Sequence, residues 1–116
     1  MSSRPASEAG DPVSLVVVAS IKTLDDLRGP LRSEILRLAS RHGGRSIAVF
    51  GSIARGDATA HSDVDFLVEF EPGRSLFDLM HLQDDLEELL GRRVDVVSAG
   101  GLKPRDERIR REAVAI

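Results

Sequence analysis

No cysteine, tryptophan or tyrosine occurs among the 116 residues, and four phenylalanines supply all the aromatic side chains. Without cysteine there is no disulfide framework and no thiolate zinc site. That composition fits a reducing compartment, and a cytoplasmic location is the expectation. Charge of one sign is lacking as well. Sixteen basic residues stand against 19 acidic ones, for a net charge of −3, and the two signs are interspersed. Such a chain has no basic footprint for DNA or RNA, so no nucleic-acid partner is expected. Long apolar runs are also missing. Val13–Ala19 is far too short to span a bilayer. Arg4, the one basic residue ahead of it, is opposed by Glu8 and Asp11, which reads against a secretory leader. No membrane association follows.

What remains is an ordinary apolar content in a length suited to one compact domain with a modest core. Residues 1–20 read as an N-terminal tail, or a short extra segment packed on the domain, and residues 21–116 as a single domain. Thr23–His42 has helical spacing, with Thr23 as N-cap, Asp25 and Asp26 in the first turn and Gly43–Gly44 as the stop. Pro30 divides it. Ser46–Phe50 reads as a strand, Gly51–Gly56 as a tight turn, and Ala58–Ser62 as a polar loop. Val64–Phe70 alternates strictly, as a half-buried strand does. Ser75–Leu90 reads as an amphipathic helix with an apolar stripe of Leu76, Leu79, Met80, Leu86, Leu89 and Leu90. A third strand over Arg93–Val97 and a terminal helix over Pro104–Ala113 follow. This order gives an α/β (α+β) domain: a small mixed sheet covered by helices, the first two strands antiparallel and the third reached by a helical crossover.

Two aspartates interrupt the apolar strand. Because strand side chains alternate between faces, Val64, Phe66, Val68 and Phe70 share one face, while Asp63 and Asp65 share the other. Two anions so close call for a cation, and Mg²⁺ binds through one or two carboxylates together with substrate phosphates. In the third strand Val94 and Val96 face one way and Asp95 the other. If the strands are neighbours, Asp63, Asp65 and Asp95 converge, an arrangement suited to two-metal phosphoryl transfer. On spacing alone the pair also fits a loop cap followed by a solvated strand charge. Upstream, Gly51 lets a backbone approach a ligand, Ser52 adds a hydroxyl donor and Arg55 lies one turn on, within reach of a phosphate. An ordinary strand-to-turn transition, with Ser52 as N-cap, Gly56 as C-cap and Arg55 solvated, explains the same residues. Neither a P-loop nor a G-x-G-x-x-G pattern is present.

Taken together, "GSIARGDATAHSDVDFLVEF" (Gly51–Phe70) resembles the motif of the minimal nucleotidyltransferases, small members of the DNA polymerase β superfamily, with the pattern G-S-x-A-R-G-x-A-x-x-x-S-D-x-D. The resemblance extends over roughly Ile21 to Ile116. It implies the polymerase-β-like nucleotidyltransferase fold. It also implies that Gly51 and Ser52 bind the triphosphate of ATP, that Asp63 and Asp65 hold two Mg²⁺ ions, and that Asp95 is the third carboxylate, near the acceptor hydroxyl. Such proteins resemble the antitoxin halves of two-gene modules whose partner, encoded by the neighbouring gene, is a HEPN-domain toxin. They transfer AMP from ATP to a tyrosine of that toxin. Every motif position is intact; Ile53 stands where an aromatic residue is frequent. A toxin-neutralising binding module without catalysis, or nucleotidyl transfer to a small-molecule hydroxyl, are the alternatives. Since this chain has no tyrosine, a tyrosine acceptor must lie on another molecule. Elsewhere, His61 and Arg74 read as surface residues, Met80 as core, and Asp84–Glu88 as a solvated helix face. The apolar residues Ile109, Ala113, Val114 and Ile116 suit either partner docking or packing on the sheet.

Overall fold

The computed structural model describes residues 23–59 and 61–116. The N-terminal tail, the Val13–Ala19 run and the first two residues assigned to the domain lie outside the described residues. Thr23 and Asp26 form a reciprocal capping box: Thr23 Oγ1 accepts from the Asp26 N–H at 3.3 Å, and Asp26 Oδ2 accepts from the Thr23 N–H at 3.0 Å. This opens α1 (Leu24–Arg28), and Pro30 separates it from α2 (Arg32–Arg41) as its missing N–H requires. Then come β1 (Gly44–Phe50), the single turn α3 (Ser52–Arg55), β2 (Val64–Phe70), α4 (Leu76–Leu90) and β3 (Val94–Ser98). The chain closes with 3₁₀ turns at Ala99–Gly101 and Pro104–Asp106, then α5 (Glu107–Glu112) and β4 (Val114–Ala115).

The sheet has four strands in the order β3-β2-β1-β4. β1 and β2 are antiparallel, and β3 lies parallel to β2 after the α4 crossover, both as the sequence suggests. The terminal segment differs from expectation. Pro104–Asp106 is a 3₁₀ turn rather than the start of the helix, and α5 stops at Glu112. Val114 and Ala115 then pair antiparallel with Val49 and Ala48. The sequence left this segment open between docking a partner and packing on the sheet, and packing is what the fold shows. A two-residue strand carries no alternation pattern to read.

Helices α1, α2 and α4 cover one face of the sheet. Leu27, Leu31, Ile35 and Leu38 meet Ile47 and Val49 of β1, Val64, Phe66 and Val68 of β2, and Val94 and Val96 of β3. The apolar half of the β2 alternation is therefore core, with Phe70 partly buried at its end. The stripe of α4 is a correction to the sequence reading. Leu82, Leu86 and Leu90 are fully buried, whereas Leu76 and Met80 are 68% and 49% exposed. Positions four apart stay on one side of a helix, and Met80 is rotated about 100° from Leu79, away from the sheet. The acidic run is also more than a solvated face. Gln83 Oε1 and Glu87 Oε2 accept the Val96 and Val94 N–H groups at 3.0 Å each, satisfying donors of the edge strand β3. Asp85 pairs with His42 at 2.6 Å.

Candidate active site

The sheet's other face carries the polar residues. Phe50 is in register with Asp65, and Asp65 with Asp95, so these three side chains form one row across β1, β2 and β3. Laterally paired strand residues are neighbours within about 5 Å. Asp63 precedes β2 by one residue rather than lying within it. Its loop is braced from the start of β3: Arg92 Nη2 donates to the carbonyl oxygens of Thr59, at 3.0 Å, and Ser62. The Thr59 N–H donates to Ser62 Oγ at 2.8 Å within the same loop. Asp63 and Asp95 are exposed, and Asp65 is half-buried between them.

Asp65 feels this arrangement most. Its pKa rises from 3.8 to about 6, first through loss of water contact and then through the Asp95 and Asp63 carboxylates. Arg55 opposes the rise and Glu112 adds to it. Gly51 abuts this carboxylate. With φ of +79°, it adopts a backbone conformation that other residues resist, and a Cβ there would sit 2.3 Å from Asp65 Oδ2. The close approach that glycine permits is thus made by an aspartate of the next strand.

The remaining partners come from the far end of the chain. Glu112 Oε1 accepts the Gly51 N–H at 3.1 Å, and Glu112 Oε2 accepts from Arg55 Nη1 at 3.2 Å. Arg55 also reaches Asp57 at 3.5 Å. The Gly51 N–H, then Arg55, hold the Glu112 carboxyl below its ordinary range. Ser52 opens α3, and its carbonyl accepts the Gly56 and Asp57 N–H groups at 3.0 Å each. Neither Glu112 nor Arg92 stands out in the sequence: each acts through a partner that only the tertiary fold brings near. Of the other candidates, His61 is exposed in the loop, while Arg74 pairs with Glu71 and Asp78.

The donor set suits a hard divalent cation bound jointly with a nucleotide. Among the described residues, no group of three or more acidic or imidazole side chains could hold a metal ion by itself. Mg²⁺ does not require one, since phosphate oxygens and water complete its shell. Loss of water contact, with the Asp95 and Asp63 carboxylates adding to it, pushes Asp65 up to about 6, an electrostatic condition that such a cation relieves.

Comparison with known proteins gives the family. The sequence model of the nucleotidyltransferase domain matches residues 31–115, and the chain belongs to that family. It is 46% identical over 81 residues to protein adenylyltransferase MntA of Thermococcus cleftensis, covering 70% of this chain and 82% of that one. A solved structure described as a minimal nucleotidyltransferase superposes with a TM-score of 0.72 at 49% identity, over 84% of this chain and 99% of the other. A toxin–antitoxin crystal structure with AMP-PNP shares the fold at 20% identity, with a TM-score of 0.63 over 72% of this chain and 69% of the other.

Proposed function

We propose that the chain is a Mg²⁺-dependent protein adenylyltransferase that moves AMP from ATP to a hydroxyl of a partner toxin and acts as its antitoxin. The observation that carries this reading is the Asp65–Asp95 register, with Asp63 beside it and Gly51 and Arg55 at its margin. Asp63, Asp65 and Asp95 would hold two Mg²⁺ ions, which supply charge neutralisation for the triphosphate and the attacking oxygen. The Gly51 N–H, Ser52 and Arg55 bind phosphate oxygens and fix the triphosphate at the end of β1. Asp95 faces the acceptor and takes the proton of its hydroxyl. The acceptor oxygen bonds to the α-phosphorus as the bond to the β-phosphate oxygen breaks, and pyrophosphate leaves. Positioning and electrostatic stabilisation supply most of the acceleration.

The acceptor lies in trans, and we assign it as a tyrosine of a HEPN-domain toxin encoded by the neighbouring gene. This chain has no tyrosine of its own to modify. The adenylyltransferase relative and the toxin–antitoxin fold neighbour support a protein acceptor and a toxin partner. A cytoplasmic site of action agrees with the cysteine-free composition, and no helix of the described residues is long and apolar enough to cross a membrane. The test incubates the protein with Mg²⁺, α-labelled ATP and the neighbouring gene's product. Label on that product, lost with a chelator, is expected. Label only on a small-molecule hydroxyl, or tight binding with no label, overturns the reading.

A further inference from the structure

Two donors assigned above to the nucleotide already share one acceptor. Glu112 lies 61 residues from Gly51 and 57 from Arg55 in the chain, yet its two carboxylate oxygens take one hydrogen bond from each. An anion with two oxygens on an amide N–H and a guanidinium uses the contacts that a phosphate uses. The backbone that carries Glu112 is fixed. The Ala113 N–H donates to the Ile109 carbonyl at 3.1 Å, Val114 pairs with Val49, and the Ile116 N–H donates to the Ile47 carbonyl at 3.3 Å. Arg32 Nε adds a bond to the Ile116 carbonyl at 3.3 Å, and Ile116 is buried. Only the Glu112 side chain, 21% exposed, is placed to turn outward.

We propose that Glu112 is an internal anion that occupies the phosphate donors Gly51 N–H and Arg55, so that nucleotide binds only as the Glu112 carboxylate swings out. This inference rests on the nucleotide reading of the site and adds a residue that sets affinity. It makes Glu112 a brake on ground-state binding that also keeps Arg55 oriented until a phosphate replaces it.

Calorimetric titration of the wild type, Glu112→Ala and Glu112→Gln, with a non-hydrolysable ATP analogue plus Mg²⁺ and separately with adenosine, tests the inference. Removing the competing carboxylate is expected to tighten binding of the triphosphate by about three- to tenfold, the range for one or two exchanged polar contacts. Adenosine, which has no phosphate, should bind all three proteins alike. The Gln variant retains the side chain's size and loses its charge and one of its two acceptor oxygens, so it carries the test should the Ala variant fail to fold. Unchanged or weakened triphosphate binding in a folded variant, with the wild type still binding, overturns the inference and leaves the nucleotide reading intact. An equal gain for adenosine does the same. Failure of every protein, the wild type included, to bind the triphosphate removes the nucleotide reading and this inference with it.

Discussion

Asp65 carries the electrostatic load of the site. Between about pH 4 and pH 6 the folded chain keeps a proton on Asp65 that the unfolded chain has released. Stability therefore falls as pH rises through that window, and the loss is complete above it. Asp65→Asn should stabilise the metal-free protein by about 1–2 kcal/mol at pH 7, solvent contact at the half-buried group limiting the effect. At pH 3 the variant should match the wild type, since the native carboxyl is then protonated in both states. Urea denaturation at the two pH values measures the difference; a constant difference at both would contradict an origin in the desolvation and crowding of the charged carboxylate. Gly51 makes the complementary case. Gly51→Ala forces a Cβ against Asp65 Oδ2 in a left-handed backbone conformation, and should cost about 2–3 kcal/mol by the same measurement. A cost under about 0.5 kcal/mol would mean that the close approach is not required. The D-x-D alternation and the Gly51–Ser52 step were legible in the sequence because both rest on local geometry. Glu112 and Arg92 were not, since the partners of each lie about thirty to sixty residues away in the chain.

At the scale of elements, the caps and breaks follow local chemistry. The Thr23 N-cap, the Pro30 division and the strict alternation of Val64–Phe70 all reappear in the fold. The face of α4 was harder to read, because leucines and a methionine surround much of that helix. Tertiary packing chose Leu82, Leu86 and Leu90 and left Leu76, Phe77 and Met80 outside. Leu86→Ala should cost about 3 kcal/mol, whereas Met80→Ala should stay within about 0.5 kcal/mol. Chemical denaturation of the pair checks this, and equal losses would contradict the observed face. The β3 edge shows a second limit of sequence reading. Gln83 and Glu87 look like solvent-facing residues, and only the crossover reveals that they satisfy the strand's free N–H groups.

For the whole molecule, topology does what no segment does alone. The α4 crossover sets β3 parallel to β2 and so brings Asp95 into register with Asp65. Return of the chain end to β1 delivers Glu112 to Gly51. Among the described residues, one layer of helices packs a buried cluster against one sheet face, and the carboxylates lie on the other. The mixed sheet was expected from the order of elements, but β4 was not, because its two residues give no periodic signal. The central claim is that the carboxylate row transfers AMP to a partner. It is tested most directly by transfer of α-labelled ATP to the neighbouring gene's product, using wild type, Asp63→Ala and Asp65→Ala with far-ultraviolet circular dichroism as the check on folding. The account predicts label on the partner with the wild type and at least a hundredfold less, on the order expected for loss of an electrostatic catalytic group, with either folded variant. Full transfer by a folded Asp63→Ala or Asp65→Ala protein would contradict it.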